Sequence, residues 1–162
     1  MSIFTRQGNL FEHVLPECVT AGDDVHIIVH GCNAQGRMGS GFAKELRDRF
    51  PEAYGAYMQH HKQFGLTMGT NVPYTVSKNL VIMNAITQEF YGYDGSKYVS
   101  YDAISSCFES INNLSFELQK DGTKVTVHFP MIGAGLAGGK WEIIETIIEE
   151  ELFTPHKILY KL

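Results

Sequence analysis

Twice in this chain a β-branched strand runs into a glycine loop that opens a helix. The first unit reads VHIIVH, GCNAQGRMGSG, FAKEL from Val25 to Leu46; the second reads KVTVHF, PMIGAGLAGG, KWEIIETI from Lys124 to Ile147. Strand, turn and helix in that order make the crossover unit of a parallel sheet. Each glycine loop then falls at the carboxyl end of a strand, where such sheets bind ligands. A helix N-terminus leaves N–H groups without partners and carries partial positive charge, so it favours phosphate. Glycine loses more freedom on folding than any other residue, so clusters of it inside ordered structure need a reason. Two such loops side by side would clamp a diphosphate from both flanks.

Other phosphate motifs fit less well. GAGLAG, Gly133–Gly138, matches GxGxxG. It comes too late in the chain for a dinucleotide fold, and no acidic residue lies about 20 positions on to hold a ribose. No GxxxxGK[ST] occurs, which argues against a P-loop nucleotidase.

The remaining pattern is that of one α/β domain spanning residues 1–162, with a mostly parallel sheet covered on both faces. Strands are expected at Ser2–Gln7, Val25–His30, Lys124–Phe129 and the closing HKILYKL. A hairpin is expected from MGTNVPYTV and NLVIMNAI, turning at Ser77–Asn79. Helices are expected from Gly39 to Phe50, from Pro51 to a stop at Gly65, over Ser100–Lys120 and from Trp141. Over Ser100–Lys120 the apolar residues Ile104, Cys107, Phe108, Ile111, Leu114 and Leu118 recur three and four apart. That makes six strands and about four helices. Gln88–Tyr98 has no period and reads as a loop.

Charge narrows the partners. Thirteen basic against 18 acidic residues give a net charge of -5, which argues against general nucleic-acid binding. An anionic small molecule remains open, because backbone N–H groups bind one without lysine. The three cysteines, Cys18, Cys32 and Cys107, form no CxxC, so neither a disulfide framework nor a structural zinc site is expected. No metal-ligand spacing appears. The N-terminus is no signal peptide and no run approaches a membrane span. A cytoplasmic or otherwise soluble intracellular setting is expected, with no membrane partner. The sequence names no protein partner.

Taken together, QGNLFE, HGCNAQGRMGSGFAKELRDRFPEAYGAY, NAITQ, YVSYDAI and PMIGAGLAGGKWEIIETIIEE resemble the macrodomain family, whose members bind ADP-ribose. The resemblance covers nearly the whole chain. It is nearest to the branch that dephosphorylates ADP-ribose 1''-phosphate and to the terminal ADP-ribose glycohydrolase branch. It implies a three-layer α/β/α sandwich on a six-stranded mixed sheet, with the strands at Val25–His30 and Lys124–Phe129 adjacent and no cofactor. It places the first phosphate loop at Gly36, Arg37, Met38, Gly39, Ser40, Gly41, Phe42 and Ala43. The second lies at Ile132, Gly133, Ala134, Gly135, Leu136, Ala137, Gly138 and Gly139. Asn33 would reach the distal ribose, and Gly8, Asn9 and Leu10 would meet the adenine. Many relatives carry an aspartate where this chain has Asn9, which offers a carbonyl without charge.

Chemistry is the thinner part. The glycohydrolase lysine and aspartate correspond to Gln88 and Ala137, so a lysine-adduct route is unsupported. His30 matches the histidine of the phosphatase-like branch and is the candidate catalytic residue, placed to protonate a leaving oxygen or position water. A partner would come from Glu89 or Asp94, with Tyr91 and Tyr93 beside them. Arg37 and Lys140 are candidates to meet a terminal phosphate. His26 and His128 read as structural or solvent-facing, Trp141 as core packing, and Cys32 as a small buried hydrophobe. The resulting expectation is a hydrolase of an ADP-ribose derivative such as ADP-ribose 1''-phosphate; one alternative is a non-catalytic module that binds ADP-ribose or ADP-ribosylated protein, and another is an ADP-ribosyl hydrolase without the lysine mechanism.

Overall fold

A computed structural model describes residues 3–14 and 22–162. The expected terminal strand and its approach lie partly outside these bounds, as does Cys18. The strands are β1 (Phe4–Gln7), β2 (Val25–Asn33), β3 (Asn71–Ser77), β4 (Leu80–Gln88), β5 (Val125–Phe129) and β6 (Lys157–Lys161). They form a single sheet in the order β1-β6-β5-β2-β4-β3, parallel throughout except that β3 pairs antiparallel with β4. Pro73 sits on β3, at the sheet edge, where a missing N–H costs least. β2 and β5 are neighbours, with Ile27 beside Val127, so the two glycine loops leave adjacent strands at the same edge of the sheet.

The helices are α1 (Leu10–His13), α2 (Gly41–Arg49), α3 (Pro51–Phe64), α4 (Tyr101–Gln119) and α5 (Trp141–Glu151). Their limits have local causes. Pro51 opens α3 and Gly65, at φ +79, closes it. The Ser100 side chain accepts the Ala103 N–H and starts α4. Alternate residues of β2 feed the two faces. Ile27 and Val29 join the core under α4 and α5, while Ile28 packs with Leu46 of α2, Ala53 of α3 and Phe50 between the two helices. That two-sided burial explains the unbroken apolar run.

Two expectations need correction. β2 does not stop at His30 but runs on to Asn33, with a bulge between Cys32 and Asn33. A fifth helix, α1, lies in GNLFEH, where the Asn9 side chain accepts the Phe11 N–H.

A polar line, buried at His128 and Tyr160 and partly open at His26, crosses the sheet on the α1–α3 side. His26 Nδ1 lies 2.9 Å from His128 Nε2, and His128 Nδ1 lies 2.8 Å from the Tyr160 hydroxyl. Burial holds the His128 pKa down at about 3, so the ring is neutral.

Candidate functional site

All five parallel strands end at one edge, and their loops enclose a cleft of two connected hollows, about 350 and 660 Å³. The hollows share Gly41, Phe42, Pro130, Met131, Ala134 and Gly135. The smaller one lies between the glycine loops and under Tyr91–Tyr93. The wider one opens toward Gly8, Asn9 and Leu10.

The first loop is built by side chains. Asn33 Nδ2 donates to the Arg37 carbonyl at 2.8 Å, and its Oδ1 accepts the Gln35 N–H at 3.0 Å. The hydroxyl of Tyr57, on α3, donates to the Asn33 carbonyl. Asn33 therefore shapes its own loop, and it is not among the residues lining the cleft. Gly36 packs against α3, since a Cβ there would meet the His61 ring at 2.8 Å. Met38 is buried, Arg37 is exposed, and neither lines the cleft. The loop meets the cleft over Gly39–Ala43. There Ser40 is the N-cap of α2 without a capping side-chain bond, so the first-turn N–H groups of Gly41, Phe42 and Ala43 lack helical acceptors.

The second loop is built by backbone. Gly139 N–H donates to the Gly133 carbonyl at 2.7 Å, and the Ala137 carbonyl accepts both the Tyr98 and Val99 N–H groups. A side chain on Gly138 would collide with the Ser96 carbonyl, and one on Gly133 would come within 2.7 Å of Val99. A Cβ on Gly135, by contrast, meets nothing within 4 Å, because it faces the cleft. Among the described residues the N–H groups of Gly133, Gly135, Leu136 and Ala137 find no acceptor. Both loops thus bring residues with unsatisfied donors to one cleft.

His30 lines the smaller hollow but is almost wholly buried. Its Nε2 lies 2.6 Å from Asn84 Oδ1. Asn84 Nδ2 donates to the Ala53 and Val72 carbonyls, which fixes Oδ1 as the acceptor and so places the imidazole proton on Nε2. Nδ1 is left as the unprotonated nitrogen. Burial lowers the pKa to about 4, against a smaller opposing effect of Asn84, so the ring is neutral near pH 7. Cys32 Sγ lies 3.5 Å from His30 Nε2, and burial pushes its thiol pKa up, as suits an inert packing residue.

The Gln88–Tyr98 segment closes one side. Tyr91, Gly92 and Tyr93 line the smaller hollow, and the Tyr93 hydroxyl reaches Ser40 Oγ at 3.3 Å. Neither Glu89 nor Asp94 lines it. Asp94 is turned into its own loop, bonded to the Tyr98 hydroxyl and the Ser96 N–H, and these bonds hold its carboxyl below the usual range. Gln88 does line the cleft, with its amide donating to the Phe90 carbonyl. Lys140 and Trp141 stand at the start of α5, where Trp141 packs beside the core and bonds Glu145.

The sequence profile of the Macro domain matches residues 29–148, which include both glycine loops. The chain belongs to the macrodomain family. An ADP-ribose 1''-phosphate phosphatase of Candida albicans is 29% identical over 146 residues, covering 89% of this chain and 90% of that one. A Bacteroides thetaiotaomicron protein of unknown function superposes with a TM-score of 0.82 at 32% identity, over 100% of this chain and 99% of that chain. A Streptomyces coelicolor macrodomain superposes with a TM-score of 0.75 at 24% identity, over 99% of each chain.

In this macrodomain the wider hollow is lined by Phe42, expected in the first loop, and by Glu45, Tyr160 and Lys161, which sequence reasoning missed. Phe42 stacks on Phe11 with ring centroids 4.8 Å apart and lines both hollows. Glu45, one helical turn on from Gly41, lines the wider hollow with Tyr160 and Lys161. No motif marks these three positions. The only signal was indirect: β1 and β6 pair in parallel, so Gly8 and Lys161 end at the same place, with the Gly8 N–H on the Lys161 carbonyl at 2.7 Å. Among the described residues no helix is long and apolar enough to cross a membrane.

Proposed function

We propose that the cleft binds ADP-ribose derivatives and that the protein removes the terminal phosphate of ADP-ribose 1''-phosphate. The observation that carries this reading is that residues with unsatisfied N–H groups, Gly41–Ala43 from one loop and Gly133, Gly135, Leu136 and Ala137 from the other, line one cleft. Those donors suit a diphosphate, because dipoles fixed in advance stabilise charge without reorganising. The name of the Candida albicans relative supports the substrate class. On this reading the diphosphate lies across Gly39–Gly41 and Gly133–Ala137. The base lies in the wider hollow near Asn9, and the distal ribose lies beneath Tyr91–Tyr93. His30 acts as a neutral base through Nδ1, orienting a water toward the terminal phosphorus.

A specific observation favours a second reading, binding without turnover. The smaller hollow is lined by no acidic side chain, with Gln88 and Ala137 where the glycohydrolase branch has its lysine and aspartate. A thermal-shift titration with ADP-ribose, with AMP and NAD as controls, tests the site itself. At a hundred times the dissociation constant, a ligand stabilises the fold by about 2.7 kcal/mol. Phosphate release from ADP-ribose 1''-phosphate then separates the two readings. Binding without release selects the second, and no shift at millimolar ligand rejects both.

A further inference from the structure

We propose that Glu45 is the base-reading group of the cleft, its carboxylate held by Asn9 to select a purine that carries an exocyclic amine. This rests on reading the cleft as a site for an ADP-ribose derivative.

Asn9 has no free choice of orientation. Its Oδ1 accepts the Phe11 N–H at 2.9 Å as the cap of α1, which turns Nδ2 toward α2. There Nδ2 donates to Glu45 Oε1 at 2.8 Å and approaches Oε2 at 3.4 Å. Arg49, one turn further along α2, brings its Nε to 3.6 Å from the same Oε1. Oε1 is thus engaged from two sides, while Oε2 keeps capacity to accept from a ligand. Glu45 and Asn9 both line the wider hollow, whose other walls include Phe42, Met131 and Tyr160. The lining is mostly apolar, with Glu45 as its one acidic side chain. The glycine-loop donors at Gly41 and Gly135 line the same hollow, so a ring in it stays within reach of a diphosphate between the loops.

The chemistry sets the preference. An adenine amine donates to a carboxylate in a charge-assisted hydrogen bond. Hypoxanthine puts a carbonyl oxygen in the same place, and two acceptors then face each other. Lys161 also lines the hollow and would favour the carbonyl, so the direction of the preference is itself informative. A missing side-chain charge at Asn9 is thereby supplied from a different element.

The test compares affinities for ADP-ribose and its hypoxanthine counterpart by calorimetry, in the native protein and in Glu45→Gln. Glu45 is partly exposed on a helix and glutamine keeps its volume, so the variant is expected to fold, which an unchanged melting temperature checks. The native protein should prefer ADP-ribose by at least about tenfold, the worth of one hydrogen bond to a charged group. Glu45→Gln should cut the ratio to about threefold or less, because the amide can turn to accept or to donate. A native protein without the preference, or a variant that keeps the full ratio, overturns the assignment while leaving ADP-ribose binding standing. A native protein that binds neither compound rejects the functional reading and this assignment together.

Discussion

The two glycine loops offer the same groups to the same cleft but are held by opposite means. The first depends on side chains: Asn33 and Tyr57 fix its course, and an uncapped helix supplies the donors. The second depends on the absence of side chains: Gly133, Gly138 and Gly139 let backbone lie against the 96–99 segment, and the donors come from the turn itself. One construction is sensitive to deleting atoms and the other to adding them.

That contrast can be broken most forcefully at Gly138. It sits at φ +75 with the Ser96 carbonyl in the way of any Cβ. Gly138→Ala combines left-handed strain with a backbone clash and should cost about 3–4 kcal/mol of stability. Chemical denaturation measures the loss, and a native-like midpoint would show that the second loop gives way easily.

A pH series bears on the layer beneath the first loop. The folded His30 pKa, about 4, lies below its ordinary value of 6.5. As pH falls below 6.5 the unfolded chain takes up a proton that the folded protein refuses, until pH reaches 4. Stability should therefore be intact above pH 6.5 and fall by about 3 kcal/mol through this group as pH drops toward 4. His30→Gln should flatten the fall, leaving the part due to His128, whose pKa is also depressed. An unchanged slope in the variant would mean that His30 is not held neutral.

Gly135→Glu sharpens the comparison inside the second loop. A Cβ there meets open space, so the melting temperature should stay within about 2 °C. The added charge faces the diphosphate, and ADP-ribose affinity should drop at least about a hundredfold, or 2.7 kcal/mol. Retained affinity would move the phosphates elsewhere. The smallest effect belongs to Tyr57→Phe. It removes the hydroxyl that holds the Asn33 carbonyl and should cost about 1–2 kcal/mol in denaturation. A neutral result would leave Asn33 sufficient on its own.

The sequence made the central strands, the hairpin and α4 legible, because burial on one or two faces leaves a periodic trace. It hid the end of β2, because Gly31 looks like the start of a loop. In the sheet its missing side chain lets Thr87 and Ile132 close in, with a Cβ meeting them at 2.8 and 3.1 Å. It hid α1, since four residues carry no period. Within the site, Gly39–Gly41 and Ile132–Ala137 were legible as glycine loops. Asn33 was legible as important, but its hydrogen bonds turn into its own loop. Glu45 was invisible, because an acidic residue on a helix ordinarily faces water, and only the chain crossing that brings β1 beside β6 sets Asn9 next to it.

The line His26, His128, Tyr160 has a direction. The neutral His128 ring carries one proton for two neighbours, so it gives to one and takes from the other. If it gives to the tyrosine, His26 must give to it; if it takes from the tyrosine, every bond in the line runs the other way. The three side chains share two orderings and cannot be reversed one at a time. Tyr160 stands at the wall of the wider hollow, and His26 stands partly open on the far side of the pair. With His26 neutral, the way the tyrosine hydroxyl points fixes which nitrogen of His26 bears its hydrogen, two rings away.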